Sequence, residues 1–171
     1  PQSNRIAYVG SSNVLAGQQA GEIAKKALPD GGKCMGFVGL LDAANYKERA
    51  EGFLDGIKGS KITLADTRAD GGDQTKAKSN VEDVLTADPT ITCMVGFYSY
   101  NTPQIYQALK EYGKLGQITV VGFDDDPITL GGVGDGSIAG TVVQQPFEWA
   151  YQGFKMMAAY VGGDKSAISA N

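Results

Sequence analysis

Polar side chains stand where the apolar, β-branched runs of this sequence end. They are amides, carboxylates, tyrosines and one arginine, and no histidine or thiol is among them. Planar amide, carboxylate and guanidinium groups can bind two adjacent hydroxyl groups, and the C–H face of a sugar ring packs on an aromatic face. The mixture therefore favours a neutral, polyhydroxylated ligand. The set comprises Asn13, Asp42, Asn45, Arg49, the aspartates within residues 66–73, residues 98–101 and 124–126, Gln144 and Gln145.

Two of these residues also have a purely structural interpretation. Arg49 falls in a helical pattern near Glu48 and Glu51, which is also typical of a solvated surface charge. Asn101 stands just before residues 102–103, a Thr-Pro pair, as a simple turn residue would. The residue pattern alone leaves both alternatives open.

The carboxylates do not follow a metal-binding pattern. The three consecutive aspartates of residues 124–126 point in different directions, and Asp126 is better placed as a helix cap before Pro127. Residues 66–73 resemble a calcium loop only superficially, since their spacing does not match that motif. The sequence therefore predicts no metal site and no cofactor.

The residues that most enzymes need are not set up here. The chain has no histidine, which is the commonest general base. The sequence pairs no general base with Ser11, Ser12 or Ser99 that could activate the hydroxyl group as a nucleophile. It also has neither a dinucleotide-binding fingerprint nor a phosphate-binding loop. We therefore expect a binding protein and not an enzyme. An α/β enzyme is the least favoured interpretation of this sequence.

Length and charge limit the class of protein further. The 171 residues suffice for one domain with a buried core. A net charge of −4 and the lack of a Lys/Arg cluster argue against nucleic acid as a partner. Cys34 and Cys93 each begin an apolar run, which predicts two buried thiols in neighbouring strands. A disulfide between them is the less favoured alternative, because adjacent strands rarely give its unstrained geometry.

Short apolar runs alternate with helical patterns along the whole chain. Most of the runs are continuous and not alternating, which is typical of parallel strands covered on both faces. We therefore predict an α/β fold, a three-layer sandwich with a Rossmann-like parallel sheet, and a ligand site at the carboxyl ends of its strands. The predicted strands are Ile6–Gly10, Cys34–Leu40, Ile62–Asp66, Ile91–Phe97, Ile118–Phe123 and Ile138–Val143.

Five stretches, in order, resemble the ribose-binding family of periplasmic sugar receptors (type I periplasmic binding proteins), which feed ABC importers. The most specific is V-V-G-F-D at 120–124, and the others lie at 6–22, 47–53, 98–101 and 140–146. The resemblance implies a monosaccharide or polyol as the ligand. It implies that the ligand-binding residues are Arg49, Asn101, Asp124 and Gln144, and the predicted site also includes Asn13, Asn45 and Tyr98.

The sequence departs from that family in the loop after the third predicted strand. Some relatives carry an aromatic ring there that stacks on the sugar, and this chain has Gly71 and Gly72. Tyr98 and Tyr100 are the candidates to supply that ring.

Receptors of this family close two lobes on the ligand and then dock on a membrane permease. The resemblance implies that residues 12–144 form the C-terminal ligand-binding lobe and that 1–11 and 145–171 are remnants of the hinge and the N-terminal lobe. We therefore expect a fragment of a periplasmic receptor, or of a cell-surface lipoprotein, although no signal peptide opens this chain.

The last predicted helix, residues 147–161, has two apolar stripes. Phe147, Tyr151 and Phe154 begin one, and Trp149 and Met156 belong to the other. A helix that is apolar on two sides needs partners on two sides. We therefore expect this helix to pack on the missing lobe, or to pair between copies of the chain.

The main alternative is the effector-binding domain of a sugar-responsive transcription repressor. Such a domain shares the fold and similar chemistry at the strand ends. It would follow a helix-turn-helix module, which this sequence does not contain.

Overall fold

The computed structural model describes residues 6–168, apart from the side chain of residue 167. The strands are β1 Gly32–Val38, β2 Ile62–Ala69, β3 Cys93–Gly96, β4 Thr119–Phe123 and β5 Gly140–Val142. The helices are α1 Asn13–Ala27, α2 Ala44–Gly56, α3 Gln74–Ala87, α4 Asn101–Glu111, α5 Pro127–Asp135 and α6 Pro146–Val161, followed by a 3-10 turn at Ser166–Ile168. Two compact units are present, Asn13–Val143 and, separately, the segment up to Ser12 together with the segment from Gln144.

The larger unit is built on one parallel sheet. Its strand order is β2-β1-β3-β4-β5, and every neighbouring pair runs parallel. The chain moves from β1 outward to β2 and then crosses back to β3 on the other side of β1. The sheet therefore has its topological switch point between β1 and β3, where ligands bind in open α/β sheets.

Helices cover both faces of the sheet, as predicted. Successive β1 residues face opposite cores, since Cys34 and Val38 pack in one apolar cluster with α1 and α2, whereas Met35 and Phe37 pack in the other with α3 and α4. Both clusters are buried, which explains why the strands appear in the sequence as continuous apolar runs. The three-layer α/β architecture is confirmed.

Glycines let α1 and α2 approach each other closely. A Cβ atom at Gly17 would overlap the Arg49 carbonyl oxygen, and one at Gly52 would overlap the Val14 carbonyl oxygen. The two backbones therefore touch where side chains would normally separate them. This contact fixes α2, and with it Arg49, against the beginning of α1.

The two thiols lie side by side in the core. Cys34 and Cys93 occupy paired positions of β1 and β3, and both are free and fully buried. A hydrogen bond with Cys34, together with burial, raises the pKa of the Cys93 thiol well above its usual value. The preferred interpretation as buried thiols in neighbouring strands is therefore confirmed.

The structure corrects one predicted strand. Residues 6–10 are described and contain no β-structure, because no neighbouring strand in the described part of their unit offers a hydrogen-bonding edge. The other five predicted strands are present with shifted ends, and β2 extends to Ala69. Asp126 caps α5, as predicted, by accepting a hydrogen bond from the Ile128 amide at 2.8 Å.

The smaller unit places α6 against the segment 6–9. Trp149, Met156 and Tyr160 line a groove of about 560 Å³ with Ile6 and Val9. On another face of the helix, Phe147, Phe154 and Val161 are 76%, 69% and 87% exposed. Residues 1–5 and 169–171 of the predicted terminal segments 1–11 and 145–171 lie outside the described residues. Within residues 6–168, no helix is long and apolar enough to cross a lipid bilayer.

The glycine contact between α1 and α2 makes a testable prediction. Gly17→Ala should lower the free energy of unfolding by about 1–3 kcal/mol, because the added methyl group forces the two backbones apart. Urea unfolding measures the effect. Gly131→Ala on helix α5 is the control, since a Cβ atom at this position would meet no other atom within 4 Å. The control should be neutral or stabilising, and an equal loss in both variants would contradict the packing argument.

Candidate functional site

The candidate site lies at the switch point of the sheet. Gly39 follows β1 there and is buried. A Cβ atom at Gly39 would come within 2.8 Å of the Tyr100 hydroxyl oxygen and 2.9 Å of the Tyr98 ring. The missing side chain at Gly39 therefore makes room for both tyrosines over the end of β1.

Arg49 is buried at this edge and is not a surface charge. It is 5% exposed, and its Nη1 donates a 2.6 Å hydrogen bond to the Phe97 carbonyl oxygen at the end of β3. Its Nε donates to Oδ1 of Asn13 at 3.2 Å. The guanidinium carbon lies 4.7 Å from the centre of the Phe123 ring and 5.9 Å from that of Tyr98. These contacts hold the planar Arg49 cation beside the rings of Tyr98 and Phe123, near the ends of β3 and β4.

Asn13 and Asn45 are held by neighbouring side chains. Besides accepting from Arg49, Asn13 donates to Glu48 Oε2 through its Nδ2 at 2.9 Å. Asn45 accepts a 3.0 Å hydrogen bond from the Tyr98 hydroxyl, so it fixes the outer end of that ring. The two amides therefore orient Arg49 and Tyr98.

Asn101 is almost completely buried, with 1% exposure. Its Oδ1 accepts from the Tyr98 backbone amide at 3.1 Å, and its Nδ2 donates to Oδ2 of Asp70 at 2.8 Å. Asn101 lies at the first position of α4, where its backbone amide bonds to the Tyr98 carbonyl at 3.0 Å. It is thus a turn residue and a neighbour of the tyrosines at the same time.

Asp70 is the centre of a hydrogen-bond network that the residue pattern did not reveal. It follows β2 directly and is only 2% exposed. Besides Asn101, its carboxylate accepts from the Gly72 amide at 2.7 Å and from the Tyr100 hydroxyl at 2.6 Å. The sequence places Asp70 only among the polar residues 66–73 after a strand, because Tyr100 and Asn101 become its neighbours only in the folded chain.

Asp124 adopts a backbone conformation that is unusual for its residue type. Its φ angle is 67°, and it is the one residue other than glycine with a positive φ in the described part of the chain. Its amide donates to the Val142 carbonyl at 2.9 Å, and its own carbonyl accepts from the Thr141 hydroxyl at 2.7 Å. The backbone at the end of β4 is therefore fixed by β5, in a conformation that aspartate tolerates better than most residues.

The structure brings together five of the seven predicted residues by direct contacts. Asn13, Arg49 and Tyr98 form one chain of neighbours, which Asn45 and Asn101 join through Tyr98. Asp124 follows Phe123, whose ring packs on Arg49. Gln144 begins the C-terminal segment of the smaller unit, where it is half-buried.

The corner beside this cluster is open. Gly71 and Gly72 have φ angles of 71° and 86°, and a Cβ atom at either position would meet nothing within 4 Å. The rings of Tyr98 and Tyr100 form an edge-to-face pair with their centres 6.3 Å apart, and the Tyr100 hydroxyl binds Asp70. Within residues 6–168, no group of three or more potential metal ligands is close enough to hold an ion.

The tyrosine network makes a prediction about pH. Burial, and then the hydrogen bond to Asp70, raise the pKa of Tyr100 above its usual value of about 10. Above that pH the unfolded chain releases this proton and the folded chain keeps it, so the free energy of unfolding falls. Tyr100→Phe should therefore reduce the loss of stability between about pH 9 and about pH 11 in urea unfolding. Tyr112→Phe, at an exposed tyrosine, is the control substitution, and equal slopes in all three proteins would contradict the prediction.

Comparison with known proteins places this geometry in a family. The model of the periplasmic binding protein domain matches residues 1–165. The ribose import binding protein RbsB of Salmonella typhimurium is 28% identical over 160 residues, which cover 94% of this chain and 54% of the relative. The D-allose-binding periplasmic protein of Escherichia coli is 29% identical and is covered to 50%, along 90% of this chain. The chain thus spans about half the length of the curated relatives it matches.

Solved structures show the same likeness. GanP, a glucose-galactose binding protein from Geobacillus stearothermophilus, superposes with a TM-score of 0.89 at 29% identity, over 95% of this chain and 59% of that one. An ABC transporter solute-binding protein from Burkholderia graminis, in complex with D-arabinose, gives 0.87 at 31% identity, over 95% and 57%. The family model covers nearly the whole chain, and the parallel sheet with its site at the switch point agrees with it. The chain therefore belongs to the periplasmic binding protein domain family.

Proposed function

We propose that this chain is the C-terminal, ligand-gripping part of a solute-binding receptor that serves a carbohydrate ABC importer. The observation that carries the proposal is the cluster at the switch point, where the buried Arg49 guanidinium lies over the rings of Tyr98 and Phe123. A buried guanidinium beside aromatic faces suits a ring that carries several hydroxyl groups. Asn101 adds an amide to the same edge of the sheet.

The ligand that we propose is a monosaccharide or a related polyol. Relatives are named for ribose and D-allose, and one solved structure holds D-arabinose. Arg49 would hold two hydroxyl oxygens with its planar fork, and Asp124 would accept from two hydroxyl groups. Asn13, Asn45, Tyr98, Asn101 and Gln144 complete the proposed site, and Gln144 rests on the sequence resemblance alone.

The proposed mechanism is binding without turnover. Residues 12–144 would form the C-terminal lobe, and residues 1–11 and 145–171 would belong to the hinge and the N-terminal lobe. The closed receptor would dock on a membrane permease in the periplasm, or at the cell surface if it is a lipoprotein. An effector-binding repressor domain is less favoured, since the curated relatives are transport binding proteins.

The exposed face of α6 supports a role in association. Phe147 and Tyr151 stack with their ring centres 6.3 Å apart, and Phe154 lies one turn further along the helix. All three rings are at least half exposed. Exposed apolar patches of this kind promote association. We assign this face to the remainder of the receptor, and to a second copy when the chain is alone.

The sugar assignment is tested by thermal unfolding of this chain and of the complete gene product. Each is measured against pentoses, hexoses and polyols. The complete protein should be stabilised by at least one sugar, because a ligand that binds only the folded state stabilises it by RT ln(1 + L/Kd), where L is the free ligand concentration. This chain alone should respond weakly, since a ligand pocket normally buries most of its ligand. No shift with any sugar in either protein would contradict the assignment.

Arg49→Lys in the complete protein tests the role of the guanidinium. The variant keeps the charge and loses the planar fork, so sugar affinity should fall about tenfold or more in calorimetric titration. Arg68→Lys is the matched control, because Arg68 is exposed on β2. Unchanged affinity in Arg49→Lys would exclude direct recognition by this side chain.

The association of α6 is tested by sedimentation of this chain at rising concentration. Phe154→Glu should shift the protein toward monomer, because it places a charge in the exposed apolar face. Gln152→Glu adds the same charge at another exposed position of the helix and should leave the association unchanged. A wild-type chain that stays monomeric at high concentration would contradict the proposal.

A further inference from the structure

The chemistry of its neighbours determines which way round the Asn101 amide lies. A carboxylate can only accept hydrogen bonds, and a backbone N–H can only donate. Asp70 therefore requires the Nδ2 of Asn101, and the Tyr98 amide requires its Oδ1. Turning the amide by half a turn would place the oxygen against a carboxylate and the NH₂ group against an N–H donor. Both hydrogen bonds would then be lost.

Asp70 itself is fixed before any ligand binds. Two donors from its surroundings, the Gly72 amide and the Tyr100 hydroxyl, bind its Oδ1. The raised pKa of Tyr100 keeps that hydroxyl protonated, so it stays a donor. Burying a carboxylate to 2% exposure is costly unless such donors satisfy it. The network is therefore complete and holds only one arrangement.

We propose that Asp70 is the positioning residue that makes Asn101 a hydrogen-bond donor toward the ligand. One hydrogen of the Asn101 Nδ2 is used by Asp70, and the second remains on the same nitrogen. Its partner must be an acceptor, which for a sugar is a hydroxyl or ring oxygen. The inference rests on the proposed sugar-binding function and gives Asp70 a specific role that the sequence pattern did not assign to it.

Asp70→Asn separates this role from simple stability. The new amide at position 70 has one oxygen, which the Gly72 amide and the Tyr100 hydroxyl need. Its NH₂ group then faces the Nδ2 of Asn101, and two donors oppose each other. Asn101 must turn round, and the Tyr98 amide loses its acceptor. We expect faster hydrogen exchange at the Tyr98 amide, by about tenfold or more, and sugar affinity lower by about tenfold.

The exchanged pair, Asp70→Asn with Asn101→Asp, is the decisive variant. Every hydrogen bond of the network can re-form, because position 70 now donates and position 101 accepts from both sides. Protection of the Tyr98 amide should return to within a few-fold of wild type. Sugar affinity should stay about tenfold low, because a carboxylate at position 101 has no hydrogen to donate.

Asp66→Asn is the matched control for the single change. Asp66 is exposed on β2, the strand that Asp70 follows, and its carboxylate accepts a hydrogen bond from the neighbouring Thr67 amide. It should match wild type in both measurements. The complete gene product is used throughout, with the sugar that gives the largest thermal shift.

The outcomes are distinct. Unchanged Tyr98 exchange and unchanged affinity in Asp70→Asn would overturn the proposal, and so would full recovery of affinity in the exchanged pair. If no sugar binds the wild-type protein, the proposed function fails. In that case the hydrogen exchange of the Tyr98 amide still decides whether Asp70 orients Asn101. Loss of protection in the single variant, with recovery in the exchanged pair, supports this orienting role. Unchanged protection in the single variant overturns it.

Discussion

The hydrogen bond from the Arg49 guanidinium to the Phe97 carbonyl ties together the elements that form the site. Arg49 belongs to α2, and Phe97 follows β3 directly. Asn13, which also binds Arg49, is the first residue of α1. Such a cation can be buried only if its donors are satisfied and the helix approaches the sheet closely. The glycine contact between α1 and α2 holds Arg49 beside Asn13 at the beginning of α1, where its Nε finds an acceptor. Packing, charge and site geometry therefore depend on one another here.

The site uses two kinds of residue that serve opposite purposes. The absence of a side chain at Gly39 makes room for the rings of Tyr98 and Tyr100, and a Cβ atom at Gly71 or Gly72 would meet nothing within 4 Å. Buried polar groups, chiefly Asp70 and Asn101, instead fix the orientation of what remains. A sugar presents many similar hydroxyl groups, so a receptor distinguishes it by the placement of donors and acceptors and not by charge. Side chains that are already fixed in orientation before binding also reduce the entropic cost of binding.

The sequence predicted the fold well, because continuous apolar runs report strands buried on both faces. It failed at residues 6–10, whose apolar pattern could not show that no strand would lie beside them. The candidate residues Arg49, Tyr98 and Asn101 were found from their places at strand ends. Asp70 stood among the strand-end residues 66–73, but its hydrogen bonds were not predicted, because Tyr100 and Asn101 lie about thirty residues away in sequence. Hydrogen bonds between distant loops leave no periodic signal in a single sequence.

A crystal structure of the complete gene product with its sugar tests the central claim most directly. The quantity to measure is the distance from the sugar oxygens to the Arg49 guanidinium and to the Nδ2 of Asn101. We predict that both nitrogens lie within about 2.7–3.2 Å of sugar oxygens, at the switch point between β1 and β3. A sugar bound elsewhere, or one at this edge that touches neither side chain, would contradict the account.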